Sequence, residues 1–305
     1  MKKIYPFILC FLIFAQHITA QCENGRFHNF VFSGSKVTSD IAYGSNLKYD
    51  GKPQTLLMDI YEHTGDPASK RPLIIMAHGG SFLGGSKTGN DIVPLCKDLA
   101  KLGYVVASIE YRLGMLNFPF MDSVSAAAAV LRGVHDGRAA VRYFRKNIET
   151  GGNTYKIDID NIYFGGSSAG GFISLHIAYL DEKSEFPGYV DTLKHAGVNG
   201  GIEGLSGNPG YASNVKAVIN ICGAISDTAY MKKGDIPVLS FHGNKDMTVP
   251  FGSAKITVGI MPLLKVHGSA SVAAKANEVG ILNCFKIYYG QDHVPYISNT
   301  ALYDT

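Results

Sequence analysis

Ser168 stands at the centre of Gly166-Ser167-Ser168-Ala169-Gly170, a hydroxyl flanked by small residues. Such a serine suits a sharp strand-to-helix turn, where the nucleophile takes a strained backbone conformation that bulky neighbours would not tolerate. The turn presents the hydroxyl at the carboxyl edge of a sheet, near the positive end of the following helix. In a chain with 35 glycines a bare match of this kind is weak. Its partners give it weight. A neutral hydroxyl is a poor nucleophile near pH 7 and needs a base. Among ten histidines, His293 in Gly290-Gln291-Asp292-His293 is the candidate, because it lies just past the last strand-like run. His176 sits in an apolar helical run and reads as a core histidine, while His242 reads as the lead-in to an acid. That acid is Asp246, which would orient the imidazole and stabilise its charged form. Asp227 is the runner-up, and Asp292 is too near His293 in sequence to reach around it. The chain order Ser168, Asp246, His293 is the one that accompanies this kind of nucleophile turn.

A second cluster, His78-Gly79-Gly80-Ser81-Phe82, follows a buried apolar run. Glycines there let backbone N–H groups approach a developing oxyanion with no Cβ in the way. The expected donors of this oxyanion hole are Gly79, Gly80 and the amide of Ala169, with Ser81 an alternative in the loop. Losing one such donor costs roughly 3–4 kcal/mol of transition-state stabilisation. Phe82 and Phe118, with Phe120, are candidates for the walls of a substrate pocket. Clustered zinc-ligand spacing is absent, so the chemistry is expected to need no metal and no organic cofactor.

These residues need a frame. Strand-like runs occur at 39–49, 54–62, 72–77, 104–111, 160–165, 215–222, 236–242 and 283–289. Helical patterns fall at 90–102, 122–147 and 169–180, with Gly133 and Asp136 expected to split the second into two pieces. Strands alternating with helices at this spacing predict the α/β class, with a mostly parallel, doubly wound sheet flanked by helices. From 181 to 214 the chain is rich in glycine and holds Pro187 and Pro209, which predicts a lid or pocket wall over the site. No linker divides the remainder, so residues 21–305 read as one catalytic domain.

The 305 residues are 46% hydrophobic and 17% charged, ordinary values for a globular chain. Lys2 and Lys3 precede an apolar run from Ile4 to Ala15, and Ala20 offers a small residue for cleavage. This pattern predicts a secretory signal over 1–20 and a secreted or periplasmic location. Acylation of Cys22 as a lipoprotein is the weaker alternative, since Gln21 occupies a position that normally carries a small residue. Removing 1–20 takes two lysines and no acid, leaving 26 basic against 25 acidic residues and a charge of +1. That balance gives no electrostatic case for nucleic-acid partners, and no run after the signal is long enough for an integral membrane segment. Cys22, Cys96, Cys222 and Cys284 allow up to two disulfides, in three connectivities, in an exported chain.

HGGSF, GGSSAGG, HGNKDMTVP and GQDHVPY resemble the carboxylesterase and lipase branch of the α/β-hydrolase superfamily, including hormone-sensitive-lipase-like and type-B esterases, and the resemblance spans residues 55–298. Glu110-Tyr111-Arg112-Leu113-Gly114 is similar to a type-B stretch. The resemblance implies the α/β-hydrolase fold and hydrolysis of a small-molecule or polymeric ester through an acyl-enzyme on Ser168. Together with the exported character, the segment from Arg132 to Phe144 resembles a group of secreted bacterial esterases, some of which act on poly(ethylene terephthalate). Many relatives carry a third glycine where this chain has Ser81, which leaves the loop donors open. The chain runs twelve residues past His293 where relatives carry a closing helix, so the resemblance implies a truncated C-terminus. A non-catalytic binding protein on the same fold, or a peptidase or acyltransferase with the same triad, are the rival readings.

Overall fold

The computed structural model describes residues 25–116, 121–258 and 261–298. Its first half holds β1 (Lys36–Leu47), β2 (Pro53–Glu62), β3 (Arg71–Ala77), α1 (Val93–Lys101), β4 (Val105–Ile109), α2 (Ser123–Thr150), β5 (Ile157–Ser167) and α3 (Ala169–Tyr179). The second half holds β6 (Val218–Ile221), β7 (Ala224–Ile225), β8 (Val238–Gly243), β9 (Ser253–Val258), β10 (Met261–Gly268), α4 (Ser269–Val279), β11 (Asn283–Tyr288) and α5 (Pro295–Ser298). Eight strands form one sheet in the order β1-β2-β4-β3-β5-β6-β8-β11. β1, β2 and β4 pair antiparallel, and from β4 onward every pairing is parallel. The mostly parallel, doubly wound α/β sheet expected from the strand and helix rhythm is present.

β3 is buried along its whole length because helices cover both faces of it. Leu73, Ile75 and Ala77 enter the core beneath α2 and α3, while Ile74 and Met76 join the one beneath α1 and α5. The winding turns about β3: α1 leads to β4 on one side, and α2 leads to β5 on the other. Ligands of open α/β sheets sit outside the strand carboxyl ends at such a reversal. The His78 loop and Ser168 leave β3 and β5 at that place.

Three expectations need correction. Residues 122–147 are not two helices but part of one, α2, capped by the Asp122 carboxylate on the Ser125 N–H at 2.7 Å. Gly133 and Gly137 do not break it. A Cβ at either would sit 2.7 Å from Ile173 or Ile177, so the glycines let α2 and α3 approach closely. Asp136 is buried in the helix because it pairs with buried Arg112 at 2.8 Å. Second, a further three-stranded antiparallel sheet, β7-β10-β9, joins β7, which lies between β6 and β8, to β9 and β10, which with α4 lie between β8 and β11; none of these elements was foreseen. Its strands read poorly in sequence because β9 is largely exposed and only Ile256 packs on the core.

Third, Cys96, Cys222 and Cys284 are free thiols, the first two buried at different places in the fold. None of the expected disulfides joins two of them; Cys22 lies outside the described residues, as do the segment 1–20 and Phe118. Among the described residues no helix is long and apolar enough to cross a membrane.

Candidate active site

β5 ends at Ser167 and α3 begins at Ala169, so Ser168 is the turn itself, with φ 53° and ψ −113°. Positive φ in a non-glycine residue is strained and persists where surroundings enforce it. The Ser168 N–H donates to the Ile221 carbonyl at 2.7 Å, and a Cβ on Gly170 would lie 2.0 Å from the Ala77 carbonyl. The small residues are therefore demanded by close backbone passage. Ser168 is 8% exposed, enough for its hydroxyl to be reached from a cleft.

Across the cleft the turns after β8 and β11 are knitted together. Asn244 N–H donates to the Tyr288 carbonyl at 3.1 Å and Lys245 N–H to the Gln291 carbonyl at 2.9 Å. The Asp292 carboxylate accepts from the Met247 and His293 N–H groups at 2.8 and 2.7 Å, so Asp292 fastens the turn. This brings three distant side chains together. His293 Nε2 lies 2.9 Å from Ser168 Oγ, and His293 Nδ1 lies 2.7 Å from Asp246 Oδ2. The other Asp246 oxygen accepts from the Thr248 and Val249 N–H groups, each at 2.8 Å. Burial alone would raise the Asp246 pKa, but hydrogen bonds from His242 and His293 hold the carboxyl well below the usual range. An ionised carboxylate fixes Nδ1 as the donor, which leaves Nε2 free to accept the serine proton. Asp227 is not part of this relay: its carboxylate caps a short turn through the Ala229 N–H.

The expected anion-binding amides are partly redistributed. Gly79 N–H already donates to Asp91 Oδ2 at 2.6 Å, so it is a brace for the loop and not a free donor. Among the described residues nothing accepts from the N–H of Gly80, Ser81 or Ala169. Gly80, Ser81 and Phe82 all have positive φ, 118°, 56° and 59°, which turns successive N–H groups toward one side. Asp91 lies in a loop ahead of α1 with no motif around it, and nothing in the sequence marked it.

Beside Ser168 opens an apolar chamber of about 70 Å³ walled by Phe82, Met115, Val130, Phe172, Ile256 and Leu264, among others. Phe82, a candidate pocket wall, lines it. The 181–214 segment does not wall this chamber. Its place is taken by β9 and β10, through Ile256, Leu263, Leu264 and Val266. Segment 181–214 instead packs on α2: Arg132, Arg138 and Arg142 of that helix, with Arg112 after β4, donate to its carbonyls and to Glu203. Pro187 and Tyr189 from it line a second chamber of about 40 Å³, separated from the first by Val130, Phe172, Leu264 and Val266.

One group among the described residues has metal-ligand chemistry, Cys222, Asp246 and His293, with ligand atoms within 4.8 Å of one another. Two of them already serve each other. Burial pushes the Cys222 thiol up to about 12, whereas a metal needs the thiolate. Cys222 instead accepts the Val294 N–H, at 3.4 Å.

Residues 58–223, more than half of the chain, match the BD-FAE family model. The chain belongs to the BD-FAE family. Its sheet is that of the α/β-hydrolase fold. The chain is 34% identical over 137 residues to pyrethroid hydrolase Ces2a of Mus musculus, covering 44% of this chain and 23% of that protein. It is 34% identical over 106 residues to para-nitrobenzyl esterase of Bacillus subtilis (strain 168), covering 34% of this chain and 20% of the other. It thus spans a quarter or less of these curated relatives. Among solved structures, Thermogutta terrifontis esterase 2 phosphorylated by paraoxon superposes with a TM-score of 0.56 at 19% identity, over 86% of this chain and 85% of that one. That likeness is one of fold.

Proposed function

We propose that this chain is an exported serine hydrolase of carboxylic esters that works through an acyl-enzyme on Ser168. The observation that carries the reading is the unbroken relay from Ser168 Oγ to His293 Nε2 and from His293 Nδ1 to Asp246 Oδ2, at 2.9 and 2.7 Å. His293 takes the serine proton as Oγ attacks the ester carbonyl. The oxyanion is held by the amides of Ala169 and of the Gly80–Ser81 turn. Collapse of the tetrahedral species breaks the ester C–O bond, and the leaving alkoxide takes the proton back from His293. Water, deprotonated by the same imidazole, then attacks the acyl carbonyl, and the acid leaves as Oγ recovers its proton.

Ser168→Ala tests this. It removes the nucleophile alone, so hydrolysis of a p-nitrophenyl ester of a short acid should vanish while the circular dichroism spectrum and melting curve stay those of the parent. Retained turnover in a folded Ser168→Ala protein refutes the assignment. A fluorophosphonate should label Ser168 in the parent; absence of labelling would favour the non-catalytic binding protein.

The small apolar chamber supports short acyl groups as the substrates. Action on aromatic polyesters rests on the motif resemblance, and release of terephthalate from a polyester film by the parent but not by Ser168→Ala is its test. Export rests on the pattern of residues 1–20, and the mature protein recovered outside the cytoplasm should begin at Gln21.

A further inference from the structure

Asp246 Oδ2 receives two imidazoles. His293 Nδ1 approaches at 2.7 Å and His242 Nε2 at 3.0 Å, from a side chain that is wholly buried behind the carboxylate. A chain of hydrogen bonds holds the His242 ring from behind. Gly223 N–H donates to Asn220 Oδ1 at 3.0 Å, so the Asn220 amide must point its Nδ2 the other way, at Ser269 Oγ, 2.9 Å distant. The Ser269 hydroxyl lies 2.7 Å from His242 Nδ1 and holds that edge of the ring. Nε2 bears a hydrogen, because the Asp246 carboxylate that it faces at 3.0 Å can only accept. The far side agrees, since His242 Nε2 also lies 3.2 Å from the Val249 carbonyl, which can only accept.

We infer that His242 is a positioning residue of the relay: its Nε2–H, locked by Ser269, shares Asp246 Oδ2 with His293 Nδ1–H and thereby limits how strongly the carboxylate favours a protonated His293. The inference rests on the triad reading above. A carboxylate oxygen with two donors offers each less electron density than it would offer one, so the imidazolium of His293 is held less tightly. A base that parts with its proton more readily serves better as the acid for the leaving group.

Other groups face this pair and stay unchanged in the test. Asp292 lies beside His293 on the β11 turn, Cys222 lies at the end of β6, and Ser168 lies across the cleft. His242 itself meets Ser269 at the start of α4 and the edge of the Phe251 ring.

Two substitutions separate the two ends of the ring. In His242→Asn the side-chain amide reaches only as far as Nδ1 did, so the Ser269 contact survives and the donor on Asp246 is withdrawn. In His242→Gln the amide reaches the place of Nε2 and the donor is restored. The readouts are the acid limb of kcat/KM for a short p-nitrophenyl ester and the NMR titration of the His293 imidazole in each folded protein. Withdrawing the donor strengthens Asp246 as a partner for imidazolium, so both midpoints should rise, by about one pH unit in His242→Asn, and should match the parent in His242→Gln. A folded His242→Asn protein with the parental His293 midpoint overturns the inference, and so does a His242→Gln protein that shifts as Asn does. Should His242→Asn fail to fold, His242→Gln decides alone: a parental midpoint supports the role and a displaced one overturns it. The NMR midpoint needs no turnover. A protein that hydrolyses no ester would therefore sink the triad's function while leaving this coupling open to measurement.

Discussion

Asp91 shows how a single side chain can matter without touching the reacting atoms. Its carboxylate holds the Gly79 N–H, and the three residues after Gly79 are the positive-φ stretch that holds the proposed anion-binding amides of Gly80 and Ser81. Asp91→Ala should therefore loosen the anion-binding loop while leaving the relay of Ser168, His293 and Asp246 intact. Turnover should fall by about tenfold or more with little change in KM, because a misplaced donor is felt most when charge develops on oxygen. Steady-state kinetics on a p-nitrophenyl ester measure it, and an unaltered kcat would refute the bracing role. The contrast with the triad explains what sequence could reveal at this scale. Ser168, Asp246 and His293 each follow a strand-like run and sit among residues that force a turn, so type and place agree. Asp91 has neither signal. Gly79 was assigned as a donor because glycine marks a close backbone approach, and only the geometry shows that the approaching group is a carboxylate of the same chain.

The elements that frame the sheet were legible because burial on both faces leaves uninterrupted apolar runs, as in Leu73–Ala77, and because α3 is apolar all round. The β9–β10 pair was not. Lys255 and Lys265 interrupt it, and its apolar residues Ile256, Leu263, Leu264 and Val266 are too scattered to read as a strand although they pack on the main core. The 181–214 segment was misplaced for a related reason. Glycine and proline show that a segment is irregular, but not which surface receives it, and four arginines of α2 and the β4 exit draw this one away from Ser168. On the proposed function, the hairpin walls the chamber that would receive the acyl group. Leu264 belongs to the wall between the two chambers. Leu264→Ala should open one into the other and raise the ratio of kcat/KM for an octanoyl ester over a butanoyl ester by about tenfold. A panel of p-nitrophenyl esters from two to twelve carbons would show it, and an unchanged profile would remove the hairpin from that role.

Across the whole molecule, acid should weaken the fold. Burial, aided at His135 by the nearby Arg112, holds the imidazoles of His135 and His176 down to about 4. The unfolded chain takes up these protons near pH 6.5, whereas the native protein refuses them until about pH 4. Stability is therefore complete above about pH 6.5 and declines through the window down to 4, by about 2 kcal/mol per histidine at pH 5. Urea unfolding at pH 7 and pH 5 measures the slope, which should be shallower in His176→Gln; an equal slope would rule out that histidine. The chain past His293 ties these scales together. Tyr296, three residues on, donates its hydroxyl to the Asp91 carbonyl at 2.7 Å, while the carboxylate of the same Asp91 grips Gly79. The segment that delivers the imidazole is thereby moored to the strap that shapes the amide cradle. Fraying of this seam on warming would disarm proton transfer and anion stabilisation in one step, so inactivation should precede global melting and reverse on prompt cooling.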